Sequence, residues 1–292
     1  MPILNSKTKE VRKDYSIEEL IQKTREMRAY NMIAITAAGS GHTGGTLSIM
    51  DIAAALYLKK IRHDPKNPSW EDRDRVFWSV GHKAPALYIA LAEAGYFPLD
   101  GTVKLRKLWS GFEGHPNRLK LPGIELSAGS LGQGLGVAVG CALNAKLEKK
   151  DYRIYSINGD GELDEGSIWE AIMCASNYKL DNLTAIVDRN NLQIDGPTEE
   201  VMRLEELSAK WQAFGWHTIE IDGHDMSQIL FTLDETERIK NKPTVIIAHT
   251  LKGKGVSFAE GAVGYHGIAP KDGRSGKESL DQALKDIGDS QF

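Results

Sequence analysis

A doubly wound α/β fold, with a mostly parallel sheet and helices on both faces, is what the sequence predicts. Three observations predict it. From residue 153 onward, short β-rich runs alternate with amphipathic stretches, the rhythm of repeated β-α-β units. Those runs are almost continuously apolar, as strands covered on both faces are. The chain has 292 residues, 41% of them hydrophobic, enough for one sizeable core. No internal repeat, low-complexity segment or linker divides it, so a single domain over residues 1–292 is expected.

The elements follow in order. The first dozen residues are polar and are expected to be loosely held. Ser16 and Glu19 have the spacing of a capping box, and apolar residues then recur at helical spacing up to Gly39. The stretch "SGHTGG" (Ser40 to Gly45) should break that helix, with a second helix from Leu47 to Lys59. "DRVFWSV" (Asp74 to Val80) reads as a strand, and "GHKAPALYIALAEAG" as a loop leading into a helix. Residues 95–129 are loop-rich and contain "GHPN". "SLGQGLGVAVGCALNAKLEKK" reads as one long helix packed through its glycines. Strands are then expected at 153–157, 183–188, 216–222 and 243–249, and helices near 165–179, 203–214 and 225–240. After His266, a loop and a short helix close the chain.

Composition narrows the function classes. Lys and Arg total 36 against 40 Asp and Glu, a net charge of −4, and no long basic run occurs. A nucleic-acid surface or an anionic membrane surface is therefore not expected. Cys141 and Cys174 lie in apolar helix-like runs, so buried free thiols are expected rather than a disulfide framework or a zinc ribbon. There is no amino-terminal charged-then-apolar signal, and no apolar run reaches about 18 residues. A cytoplasmic protein with no membrane partner is the expectation.

The chemistry concentrates in "INGDGELDEGSIWEA" (Ile157 to Ala171). It lies between a predicted strand and a predicted helix, where ligands of such sheets bind. Gly159 and Gly161 let the backbone approach a ligand, and the helix amino terminus favours an anion. Yet Asp160, Glu162, Asp164, Glu165 and Glu170 would repel a bare phosphate. The carboxylates make sense if a hard divalent cation lies between protein and diphosphate, because such a cation takes oxygen ligands. Asp164 and Glu165 have a blander reading as first-turn acids favoured by the helix dipole. A second ligand should come from the next strand end, "RNNLQIDG". It places Asn190 and Asn191 one strand-helix-strand unit later, and Asn190 is 30 positions after Asp160. An amide oxygen and a backbone carbonyl are suitable ligands there. Other phosphate motifs fail: an EF-hand loop needs Gly where Glu165 stands, a GxGxxG needs Gly where Asp164 stands, and no GxxxxGK[ST] occurs.

GDG followed about thirty residues later by NN resembles the signature of thiamine-diphosphate-dependent enzymes. Here it accompanies "SGHTGG", "SVGHKAPALY", "GHPN", "LPGIELSAGSLGQGLGVAVG" and "GYHGIAP", the set and order found in transketolases. Nearly the whole chain resembles the amino-terminal, diphosphate-binding half of that family. The resemblance implies the thiamine diphosphate-binding fold, thiamine diphosphate as cofactor, and Mg²⁺ (or Ca²⁺ or Mn²⁺). It implies that Asp160 and Asn190 bind the cation through side chains and Leu192 through its carbonyl. The Gly161 N–H would face the diphosphate, beside Gly159. His82 and His266 match diphosphate and active-site histidines, and His42 and His115 match those that hydrogen-bond donor-sugar hydroxyls. Imidazole suits such work near neutral pH. Gly129, Ser130 and Leu131 match the segment along the aminopyrimidine, Ile194 a further cofactor contact, and Glu165 a carboxylate between two active sites. His63, His217, His224 and His249 match no motif and read as structural.

The implied reaction moves a two-carbon ketol unit from a ketose to an aldose, both often phosphates. Only 26 residues follow His266 (292 − 266), too few for the family's pyrimidine-binding and carboxy-terminal domains or for its cofactor-activating glutamate. A split enzyme is therefore expected, with those domains on a second polypeptide and a two-plus-two heterotetramer as the assembly; a truncation of a longer protein is the alternative reading. Competing expectations are the α subunit of a 2-oxo acid dehydrogenase, a deoxyxylulose-phosphate synthase and a non-catalytic relative. The family set beside the metal loop, together with intact Asp160, Asn190 and motif histidines, ranks all three lower. Three positions depart from the family pattern: Thr43 and Ser130 stand where Pro is common, and Lys83 where a small residue is usual. Lys83 is expected to be a solvated lysine; a second reading puts its charge near the diphosphate.

Overall fold

The structure is a computed structural model that describes residues 13–288. The expectation for the first dozen residues lies outside that range. Helix α1 (Ile17–Ala38) starts at the expected capping box: Glu19 N–H donates to Ser16 Oγ (3.2 Å), and Ser16 N–H to Glu19 Oε2 (2.9 Å). It stops at Gly39, whose φ of 70° is left-handed and whose N–H returns to the Ile35 and Thr36 carbonyls. The break expected across "SGHTGG" is narrower than that stretch. Helix α2 (Thr43–Ser48) begins inside it, with Thr43, Gly44 and Gly45 helical and buried. A Cβ on Gly44 would lie 2.8 Å from Lys252 Cγ, and one on Gly45 would lie 3.0 Å from Lys83 Cε. These glycines make room for two lysine stems. The second predicted helix is the rest of α2, α3 (Met50–Ala54) and a π-helical turn at Ala55–Lys60.

The sheet elements follow. They are β1 (Arg75–Trp78), α4 (Ala84–Glu93), α5 (Gly134–Leu147), β2 (Ile154–Gly159), α6 (Gly166–Asn177) and β3 (Leu183–Arg189). Next come α7 (Thr198–Val201), α8 (Leu207–Ala213), β4 (His217–Asp222), α9 (Met226–Arg238), β5 (Thr244–His249) and α10 (Leu280–Ile287). The long helix expected from Ser130 starts only at Gly134, because Gly132 is left-handed at φ 82°. The helix expected at 203–214 is reduced to α8.

All strand pairs are parallel, in the order β1-β2-β3-β5-β4. Trp78, Ile157, Ile186 and Ile246 lie in register across four strands. With Ile35, Ile52, Leu87 and Leu233, they form the core beneath α1, α3, α4 and α9. The alternate residues Phe77, Val187 and Ile247 pack on the other face with Leu135 of α5, Ile172 of α6 and Trp211 of α8. Burying each such apolar side chain contributes about 1.5–3 kcal/mol. Helices α5, α6 and α8 lead into β2, β3 and β4 as the chain steps one way across the sheet. The step from β4 to β5 reverses direction and carries α9 to the opposite face, as right-handed crossovers require. Strand β4 departs from the continuous burial expected of it. It is an edge strand and buries only Ile221 fully. Cys141 and Cys174 are free, but only partly buried, on the rims of α5 and α6. No helix among the described residues is long and apolar enough to cross a membrane.

Candidate active site

The carboxyl ends of β1, β2, β3 and β5 face one cleft of about 260 Å³. It is lined by His42, His82, His115 and His266, by Gly129 and Leu131, and by Gly159, Asp160 and Gly161. Asn190, Leu192 and Ile194 complete the predicted set. Ser130 and Glu165 are exposed and lie outside this lining. Glu165 sits at the N-cap of α6 instead. The other four histidines are elsewhere. For example, His63 bonds Tyr96 Oη and the Tyr57 carbonyl (2.9 Å each), and His224 accepts from Leu251 N–H (2.8 Å).

Four loops bring the histidines together. His42 precedes α2, His82 lies in the 3-10 turn Gly81–Lys83, His115 sits in the long loop, and His266 follows the turn Val263–Tyr265. The His42 ring centroid is 5.1 Å from that of His82, 5.5 Å from His266 and 6.4 Å from His115. Gly81 is required at this junction: a Cβ there would lie 2.8 Å from the Ala128 carbonyl carbon and from Gly129 N. Thr43 Oγ1 donates to the Ile268 carbonyl (2.6 Å). The residue that replaces the common Pro thus ties the His42 turn to the His266 segment.

Burial holds these imidazoles neutral. It is the largest influence on all four. His42 is lowered to about 4, helped by the Arg106 charge, and His266 to about 3, helped by Lys252. His82 is pushed well below its ordinary value, helped by Lys83. Unfolded imidazoles titrate near 6.5, so as pH falls the unfolded chain takes up these protons first. Their stabilisation is complete above about pH 6.5 and is lost towards pH 4, by at most about 1.4 kcal/mol per pH unit for each group before solvent screening. Wild type should therefore lose stability relative to His266→Asn between pH 7 and pH 5 in thermal melts followed by circular dichroism. Parallel pH profiles for the two would contradict this.

The acidic loop is tightly determined. Asp160 is buried; its Oδ1 accepts from Gly161 N–H (2.9 Å) and its Oδ2 from Asn191 N–H (2.6 Å). Asn191 adopts φ 64°, which an asparagine tolerates. Burial, then the charge of Asp188, raises the Asp160 carboxyl, against the charges of Lys83 and Arg189. The amide of Asn190 is oriented by its neighbours: Nδ2 donates to Asp188 Oδ2 (3.2 Å), and Oδ1 accepts from Leu192 N–H (3.2 Å). The Leu192 carbonyl accepts from Lys252 Nζ (3.1 Å). Asp160, Asn190 and Leu192 thus offer a carboxylate, an amide oxygen and a carbonyl to one cleft, a donor set suited to a hard cation. An ammonium already rests on the third. His42 Nδ1 is buried with no partner among the described residues, as expected of an atom that meets a bound group.

Three charged residues of the cleft were not assigned from the sequence, or were assigned wrongly. Lys83 is not solvated: it is 2% exposed, with Nζ on Asp188 Oδ2. Lys252 follows β5, and its Nζ also bonds His266 Nδ1 (2.9 Å). That bond needs the Nδ1 lone pair, so the proton of neutral His266 sits on Nε2. Burial and Lys83 lower Lys252 to about 8. Its place just beyond a strand carboxyl end was the available signal. Glu162 is buried and joins three segments. It accepts from Ser79 Oγ after β1, from Gly132 N–H (2.9 Å) ahead of α5, and from Gly159 N–H (3.0 Å).

Comparison with known proteins agrees with this geometry. The family model described as transketolase, thiamine diphosphate binding domain, matches residues 19–281. This chain belongs to the transketolase family. Among its transketolase relatives, a 6-deoxy-6-sulfo-D-fructose transketolase subunit, SqwG, of Clostridium sp. (strain MSTE9) is 44% identical over 250 residues, covering 86% of this chain and 91% of the relative. An apulose-4-phosphate transketolase subunit of Phocaeicola vulgatus is 41% identical, covering 94% of this chain and 95% of the relative. Transketolase of Homo sapiens is 40% identical, but this chain spans only 40% of its length. In a solved transketolase from Pichia stipitis, the equivalent region superposes with a TM-score of 0.87 at 34% identity, covering 94% of this chain and 41% of that one. The transketolase subunits are thus matched almost end to end, and the long transketolases over about two-fifths.

Proposed function

We propose that this chain holds thiamine diphosphate through a divalent cation, Mg²⁺ with Ca²⁺ or Mn²⁺ as alternatives, and transfers a two-carbon ketol unit from a ketose to an aldose together with a second subunit. The observation that carries the reading is the convergence of four neutral imidazoles on an oxygen-lined loop at the carboxyl edge of the sheet. When bound, thiamine diphosphate supplies the carbon–carbon bond chemistry. The protein binds, orients and moves protons. Asp160, Asn190 and the Leu192 carbonyl hold the cation, and Gly161 N–H turns to the diphosphate with His82 and Lys252. Gly129, Ser130 and Leu131 support the pyrimidine, and Ile194 covers the ring from the cleft rim. His42 and His115 read donor hydroxyls, while His266 carries its proton on Nε2 for the same face.

The partner supplies the pyrimidine-binding and carboxy-terminal domains, in a two-plus-two heterotetramer with Glu165 between its active sites. Relatives named as subunits support the presence of a partner. Sugars bearing a phosphate or sulfonate are the substrate class, in keeping with the names of those relatives. The Arg106 charge, felt at both His42 and His115, favours such anions at the mouth. A cytoplasmic location fits these substrates.

The binding half of the reading is tested by titrating thiamine diphosphate into the assembled protein with and without Mg²⁺. Cation-dependent binding is expected, and no binding in either condition would overturn the assignment. His115→Ala should raise the donor KM about tenfold or more, as loss of a hydrogen bond to a substrate hydroxyl does, and leave cofactor affinity within about twofold. Equal losses in both would give His115 a different role.

A further inference from the structure

Lys83 stands where the family resemblance implies a small residue, and its side chain runs inward. Gly45 makes room for its stem. The Nζ meets the carboxylate of Asp188, which is fully buried near the end of β3. That carboxylate is a hub. Its Oδ2 accepts from Lys83, from Ser48 Oγ (2.6 Å) and from Asn190 Nδ2 (3.2 Å), and its Oδ1 accepts from Thr250 Oγ1. Lys83 is the one cation in direct contact with it among the described residues.

A buried ion pair seldom stabilises a fold more than apolar residues of the same shape would. Its orienting effect on its neighbours is therefore the more informative property. An ionised carboxylate only accepts, so the Asn190 amide must turn its NH₂ to Asp188 and its Oδ1 to Leu192 N–H and the cleft. Without its counter-charge, Asp188 would be a buried anion held only by neutral donors, close to a second buried anion, Asp160.

We propose that Lys83 is a positioning residue for the cation site: by fixing the Asp188 carboxylate, it holds the Asn190 amide with its oxygen, not its NH₂, towards the metal. This rests on the cation assignment made above and adds a determinant to it. Lys83 does so through Asp188, whose carboxylate its Nζ meets.

The test is Mn²⁺ binding to the full chain in the presence of thiamine diphosphate, read by electron paramagnetic resonance of free Mn²⁺. Melting temperature serves as the folding control. Lys83→Met should weaken Mn²⁺ about 10–100-fold, the usual effect of removing an outer-shell partner. The double variant Lys83→Met/Asp188→Asn removes both charges and keeps an acceptor for Asn190, so it should recover to within about threefold of wild type. Recovery in the double variant is a readout that mere loss of packing would not produce. A folded Lys83→Met with wild-type affinity would overturn the proposal. If Lys83→Met does not fold, the double variant decides alone: an affinity tenfold or more below wild type would mean that Lys83 acts through its own charge on the diphosphate, and would also overturn it. A wild-type chain that binds no Mn²⁺ would overturn the cation assignment and this inference together, whereas normal wild-type binding with unaffected variants would remove only the inference.

Discussion

Asp160→Asn is expected to weaken cation-dependent binding of thiamine diphosphate by more than about 100-fold, and to abolish ketol transfer with it. The magnitude follows from the ligand's position. Outer-shell partners are worth about 10–100-fold in metal affinity, and Asp160 is the one carboxylate of the proposed ligand set. Asparagine is the informative replacement because Asp160 also has a structural duty. Its oxygens accept from Gly161 and Asn191 N–H, and Arg189 Nη1 lies 3.4 Å away. An amide keeps one acceptor and removes the charge, so the loop can persist while the cation loses its anionic ligand. Calorimetric titration with Mg²⁺ present measures the effect. Binding within threefold of wild type would overturn the metal assignment.

The second large effect concerns the partner. The chain alone is expected to show no measurable transfer between a ketose and an aldose, and the assembled enzyme to gain about 10²–10⁴-fold or more, the usual contribution of a positioned acid–base group. The cleft has its imidazoles and the proposed oxygen ligands on this chain. Large apolar side chains around the molecule stay open to solvent, including Trp109 at 94% in the loop that leads to His115, and Ile194 at 65% on the cleft rim. Met173 of α6 and Val137 of α5 are exposed as well. Native mass spectrometry after co-expression with a candidate partner, with Mg²⁺ and thiamine diphosphate present, should give a two-plus-two complex carrying two cofactors. Full activity from the isolated chain would defeat the split-enzyme reading.

Much of the fold was legible because its signals are local. The Ser16–Glu19 box, the Gly39 stop and the apolar runs of β2, β3 and β5 each depend on a few neighbouring residues, and the structure places them close to where they were expected. The errors share a cause. Gly44 and Gly45 read as a helix break, yet they lie within α2, because space for distant side chains outweighs glycine's weak helix propensity. The predicted start of α5 missed a left-handed Gly132, whose conformation answers to contacts with Glu165 and Ser167 from another segment.

The sequence by itself determined the α/β class, the order of strands and helices, and the residues gathered at one sheet edge: Asp160, Asn190, Leu192 and four histidines. Strand-end loops must meet at the carboxyl edge once the strands are parallel, which places Asp160 and Asn190; Leu192 and the histidines were read from the family resemblance. Only the tertiary structure decided which of the charged residues are buried. Lys83 meets its carboxylate 105 positions away, and Glu162 meets Ser79 83 positions away. No local pattern marks such a pair, because the free energy that lets a charge leave water comes from a partner that only the folded sheet brings within reach.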